Sequence, residues 1–192
     1  MAEYSLFPHL LGANYALLPA ALRAVHDSEG TVRLAGRAEI DRRPGFLPWL
    51  VCLMTGLPEA GRDVEVAVEF TRRGRTEIWK RCFGGRHYQS ALCPTADEKP
   101  SIMLERFGPF TFTFALTAEP QRLVLDLRHA RFLGIPLPGF LSPRCLAEER
   151  EEQGRFFFDI PLDLPLLGRV LHYRGWLAIE PKPEDRKGKW GE

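Results

Sequence analysis

A period-two alternation of apolar and polar side chains runs through the second half of the chain, and it restricts the fold more than any other feature. Phe110, Phe112, Phe114 and Leu116 alternate with Thr111, Thr113 and Ala115. Phe156, Phe158, Ile160, Leu162 and Leu164 alternate around Phe157, Asp159 and Asp163, and Leu171, Tyr173, Gly175, Leu177 and Ile179 close the series. Successive side chains of a strand point to opposite faces, so these segments read as a sheet with one wet face and one bulky, aromatic face. The pattern dictates an architecture and an apolar interior; it does not specify a reaction.

Strand signals extend well upstream. Thr31 to Arg42 alternates, as do the segments from Val64 to Phe70, Thr76 to Phe83 and Arg86 to Cys93. Gly84-Gly85 joins the last two as a two-residue hairpin, because glycine accepts positive φ at both central positions. Ser101 to Phe107, Leu123 to Phe132 and Leu146 to Gln153 complete the set. Two segments read as helix. Leu17 to Asp27 carries Pro19 where a first turn tolerates it, with Leu18, Leu22 and Val25 on one face. Phe46 to Leu57 is apolar all round, so a helix there must be buried on most faces.

The expectation is one α+β domain over residues 1–180 with a flexible tail at 181–192. Its sheet is a strongly curved antiparallel half-barrel of about nine to ten strands enclosing the Phe46–Leu57 helix, with an N-terminal helix outside or across one end.

Composition narrows the class. The chain has 192 residues, 45% hydrophobic and 27% charged, with 26 basic residues against 25 acidic ones and a net charge of +1. These proportions fit a globular protein, and the interspersed charges give no basic stripe of the kind nucleic acid requires. The start lacks a secretory pattern, and the longest apolar stretch falls well short of the roughly 20 residues that span a bilayer. No nucleic-acid partner, no transmembrane segment and a cytoplasmic location are therefore expected. The four cysteines read as free thiols.

The familiar catalytic signatures are missing: there is no Gly-x-Ser-x-Gly, no phosphate loop, no dinucleotide fingerprint and no His-Glu-x-x-His. No cofactor, metal or catalytic residue is assigned. The Gly84-Gly85 hairpin is more informative. Its register sets Phe83 opposite Arg86, Cys82 opposite His87, Arg81 opposite Tyr88 and Trp79 opposite Ser90. Trp79, Arg81, Phe83 and Tyr88 then share a face, as an apolar pocket for an acid-headed ligand would want; the competing reading is an arginine stacked on rings at a wet surface. Cys82 and His87 share the other face, one pair short of a ligand set.

The connection from Phe132 through Leu137 and Phe140 to Pro143 is apolar and proline-rich, whereas loops normally face water. It either plugs a barrel end, forms a lid over a ligand entrance or meets a lipid surface. Glu105, Asp159 and His172 could serve acid–base chemistry or form cross-strand ion pairs on the outer face. His26, at the end of the first helix, reads as a cation favoured by the helix dipole.

Several blocks together resemble one bacterial family, the domain of unknown function forty-one sixty-six. They are Leu10-Leu11-Gly12 with Leu18-Pro19 and His26-Asp27, the run Glu77 to Gly85, Glu105 to Pro109, and Leu133 to Pro138. The most specific is Gly154-Arg155-Phe156-Phe157-Phe158-Asp159 followed by Pro165 to Gly168 and His172 to Leu177. The resemblance implies a self-contained domain, found alone or behind a Rossmann-type dehydrogenase-like module, and no assigned activity.

Three functions stay open. The first is binding of an apolar or amphipathic small molecule, lipid or isoprenoid-like, inside the curved sheet. Arg81 would meet its polar head, Trp79, Phe83 and Tyr88 would line the site, and Phe132, Leu137 and Phe140 would belong to the lid. The second is a filled-core domain docking on a dehydrogenase-like partner. The third is an enzyme using Glu105, His172 or Asp159.

Overall fold

In a computed structural model the described residues are 4–27, 30–46 and 57–180. The chain opens with two short helices, α1 (Leu6–Leu11) and α2 (Ala20–His26), joined by a 3-10 turn over Gly12–Leu17. Among the described residues eleven strands follow: β1 (Thr31–Arg42), β2 (Gly61–Arg73), β3 (Thr76–Phe83), β4 (Arg86–Pro94), β5 (Ile102–Phe107), β6 (Phe110–Glu119), β7 (Arg122–Phe132), β8 (Ile135–Pro136), β9 (Leu146–Glu152), β10 (Arg155–Leu164) and β11 (Gly168–Ile179).

All pairings are antiparallel, and the sheet closes. Each strand pairs with its successor, β7 passes over the two-residue β8 to pair with β9, and β11 returns to β1 from Leu34↔Ile179 to Arg42↔Leu171. Ten strands thus form an up-and-down barrel with β8 as an extra strand on β7. The half-barrel expected from the sequence is corrected here: pairing the first and last strands leaves no open edge on the barrel wall. The apolar helix expected over Phe46–Leu57 falls mainly on residues outside the described set.

Closure rests on glycines. Gly36 of β1 and Gly175 of β11 occupy inward positions where the two strands press together. A Cβ on Gly36 would lie 1.8 Å from the Trp176 carbonyl oxygen, and one on Gly175 would lie 2.2 Å from the Arg37 carbonyl oxygen. Glycine at such a corner lets one backbone reach another that any side chain would hold away.

The helices stopper one end of the barrel. Leu6, Phe7, Leu10, Leu18, Leu22 and Val25 are buried in the same core as Leu34, Trp79, Leu92, Leu123 and Phe156. The barrel also completes α2, whose N-cap, Pro19, offers no side-chain cap. Glu151 of β9 accepts instead from the Ala21 N–H at 2.7 Å, satisfying one donor of the first turn.

A buried polar cluster ties this stopper to the wall. Arg72 and Glu77 are paired across β2 and β3, with 3.5 Å between Arg72 Nε and Glu77 Oε1 and only 6% of either side chain exposed. Arg72 Nη2 donates to the His26 carbonyl at 2.7 Å, at the C-terminus of α2 where a cation is favoured. Glu77 accepts from Trp79 Nε1 at 3.1 Å. His26 does lie in the last turn of α2, as the sequence suggests, but away from solvent. Its ring is buried against Phe7, and its Nε2 lies 2.6 Å from Glu149 Oε2 of β9.

Candidate functional site

Beyond the stopper the described residues enclose a cavity inside the barrel. A cavity of about 390 Å³ runs from the middle of the barrel to the opposite end. Its wall comes from the inward rows of the strands: Phe110, Phe112 and Phe114 of β6, Leu125 and Leu127 of β7, Ile160, Leu162 and Leu164 of β10. Strand pleating explains this directly, since alternate residues of one strand face the same side. Leu137, Phe140 and Leu141 of the loop after β8, with Leu166 of the β10–β11 turn, complete it. Phe140, Leu141 and Leu166 are also solvent-exposed, so the mouth lies among them.

Among the described residues the polar lining is sparse. It centres on Arg81 of β3, which faces Tyr88 of β4 in the register expected from the Gly84-Gly85 turn. Arg81 Nη1 donates to Ser90 Oγ at 2.8 Å, and Nη2 lies 3.4 Å from Glu105 Oε1. The guanidinium also sits over the rings of Trp79, at 4.8 Å, and Tyr88, at 5.7 Å. Burial disfavours the charged guanidinium, but the Glu105 carboxylate with the fields of Tyr88 and Tyr173 outweighs this and holds its pKa above the ordinary value.

Burial pushes the Tyr88 phenol up to about 12, pushes Tyr173 well above its usual range and pushes the Cys145 thiol up to about 12. At neutral pH these groups are therefore protonated, and Cys145 offers no thiolate nucleophile. Among the described residues the Tyr88 hydroxyl is buried with no well-formed hydrogen bond, and the neighbouring Tyr173 side chain offsets only part of the effect of burial. An unsatisfied buried donor beside a cavity is an uncommon arrangement that a ligand atom would relieve.

A pH dependence follows. A group whose pKa is raised on folding stabilises the native state below its unfolded value, and that contribution is lost as pH rises through the folded value. For Cys145 the window runs from 9.0 to about 12, and for Tyr88 from 10.0 to about 12. Urea midpoints should be level between neutrality and the lower edge of that window and fall steadily through it; a flat profile across the whole range would count against buried phenols.

The structure brings together most of the residues singled out in the sequence. Trp79, Arg81 and Tyr88 are on the cavity wall, and Leu137 and Phe140 are at the mouth. Phe83 faces inward but stands one layer back, stacked on Tyr88 with centroids 5.9 Å apart and edge-on to Tyr173 at 5.5 Å. Phe132 packs on Phe110 at 5.1 Å rather than joining the wall. The acid–base trio is not assembled. Glu105 lines the cavity, whereas His172 and Asp159 alternate with inward residues and so face outside, where His172 Nε2 meets Asp159 Oδ1 at 2.7 Å and Arg174 reaches Glu39 at 2.9 Å. Cys82 and His87 are also on the outer face, 3.6 Å apart. Among the described residues no group of three metal-ligating side chains occurs.

Sequence reasoning missed Glu149. The run Leu146 to Glu152 is so acidic that it reads as a wet strand, yet Ala147 and Glu149 face inward. The signal was absent because the partner, His26, arrives from a helix 123 residues away.

Among the described residues no helix is long and apolar enough to cross a membrane. No curated protein matches the chain. A family model does match, over residues 18–177, from the entrance to α2 through nearly all of β11. The chain belongs to the family described as Domain of unknown function (DUF4166).

Proposed function

We propose that the barrel binds one apolar or amphipathic small molecule, lipid or isoprenoid-like, with its apolar body along the phenylalanine rows and its polar end at Arg81 and Tyr88. The observation that carries this reading is a largely apolar cavity of about 390 Å³ whose polar groups include a buried tyrosine hydroxyl with no well-formed hydrogen bond among the described residues. Such a volume lies within the range of small-molecule sites, and a few placed polar groups in an apolar wall orient a ligand.

The polar end is uncharged. Arg81 already faces Glu105, and Glu149 lies on the same wall, so a carboxylate head would meet two resident carboxylates. A hydroxyl or carbonyl would instead give the Tyr88 hydroxyl a well-formed hydrogen bond. This revises the acid-headed ligand suggested by the arginine alone.

The test is displacement of the fluorophore N-phenyl-1-naphthylamine by a long-chain primary alcohol and by the carboxylic acid of equal length. The alcohol should compete at least tenfold better, and Tyr88→Phe should weaken it by about fivefold, the effect of one neutral hydrogen bond. Native mass spectrometry of protein purified without denaturant should show a bound adduct. A clean apo mass together with no fluorophore binding would transfer support to the filled-core domain that docks on a dehydrogenase-like protein.

A further inference from the structure

The mouth of the barrel carries apolar side chains that the core does not use. At the tip of the β7–β8 hairpin, Leu133 and Ile135 are 71% and 69% exposed, and Leu166 across the opening is 73% exposed. Phe140 and Leu141 stand between them and the cavity, exposed on one side and lining it on the other. The hairpin is fixed in place: Leu133 N–H donates to the Pro109 carbonyl at 2.8 Å, and Leu137 N–H to the Ala130 carbonyl at 2.9 Å.

Leu133 is also held at φ 49°, ahead of Gly134 at φ 83°. A two-residue turn of this kind favours asparagine or aspartate at its first position, and a bulky apolar residue there is strained. A strained leucine fully in water at a hairpin tip serves neither local conformation nor the core, so its side chain has an external use.

Charge says what that use is. Arg106, Arg131 and Arg144 are exposed beside the same loops, and among the described residues none of the three has an ion-pair partner. Asp163, near the β10–β11 turn, is taken up by Arg169, and Glu59 by Arg86. The rim is therefore apolar at its tips and cationic at its base, the combination that inserts side chains among acyl chains while arginines meet anionic headgroups.

We propose that this rim docks the barrel, mouth first, on an anionic lipid surface. The orientation places the opening against the source of an apolar ligand, and in that respect the inference rests on the small-molecule reading; the docking itself is measured separately.

The experiment is co-flotation of the intact chain with vesicles of phosphatidylcholine containing half as much phosphatidylglycerol, compared with phosphatidylcholine alone. The protein should float with the anionic vesicles, and added salt should reduce this as the screening length shortens. The double variant Leu133→Ser/Ile135→Ser should lower partitioning about tenfold or more, as should Arg106→Glu/Arg131→Glu, while both keep the wild-type urea midpoint and fluorophore binding. Tyr88→Phe should float like wild type. No flotation of a protein that still binds fluorophore overturns the docking and leaves the cavity reading standing. Flotation unaffected by either double variant overturns it too, and flotation without fluorophore binding would overturn the cavity reading alone.

Discussion

Replacing Gly36 or Gly175 with alanine should prevent the barrel from closing. The added methyl carbon would lie 1.8 Å from the Trp176 carbonyl oxygen in the first case and 2.2 Å from the Arg37 carbonyl oxygen in the second. Both obstacles are backbone atoms in the β1–β11 ladder, so no side-chain rotation relieves the overlap. The strands must separate, and the hydrogen bonds from Leu34↔Ile179 to Arg42↔Leu171 are strained or lost. A loss above about 4 kcal/mol is expected, the range reached only by severe steric or buried-polar faults. Such a loss consumes most of the stability of an ordinary domain. Gly85→Ala is the control, since its φ of 83° makes alanine strained but nothing lies within 4 Å of the new atom. It should cost only about 1 kcal/mol. Urea unfolding followed by far-UV circular dichroism decides the matter, and a Gly36→Ala protein within about 1 kcal/mol of wild type would refute the tight β1–β11 approach.

Breaking the Arg72–Glu77 pair is expected to be nearly as severe. Both side chains are 6% exposed, so Arg72→Met leaves a carboxylate, and Glu77→Leu a guanidinium, with no opposite charge in a poorly hydrated place. Each single substitution should cost about 3–5 kcal/mol, whereas the double variant should recover at least half of the summed loss because no buried charge is left over. Arg72→Met also removes the donor to the His26 carbonyl, so amide exchange should accelerate in α2 before the strands. Additive losses in a double-mutant cycle, or single variants that lose stability only at low salt, would mean that the pair is solvated and does not anchor the stopper.

Local order was legible because it depends on near neighbours. Strand positions followed from alternation, and the β3–β4 register, Arg81↔Tyr88 included, followed from two glycines with φ of 53° and 83°. That register brought Trp79, Arg81 and Tyr88 to one wall without any knowledge of the rest of the molecule. The same alternation placed His172 and Arg174 opposite Leu171 and Tyr173, which is why they stand outside the cavity.

What was not legible depends on atoms far apart in the chain. An inward glycine such as Gly36 reads as a weak point in a strand until its partner strand is known to press against it. His26 read only as a helix-end cation because Glu149 is remote, and Arg81 suggested an acid-headed ligand because Glu105 sits two strands away.

Side-chain periodicity is a property of the backbone repeat, so the sequence alone determined that the chain would make antiparallel strands with an aromatic inner face. Closure into a ten-stranded barrel, the stopper at one end, the neutralised arginine and the cavity left between them were decided only by tertiary structure. Each depends on distances between remote residues, and a one-dimensional pattern carries no information about those distances until the sheet has curved far enough to meet itself.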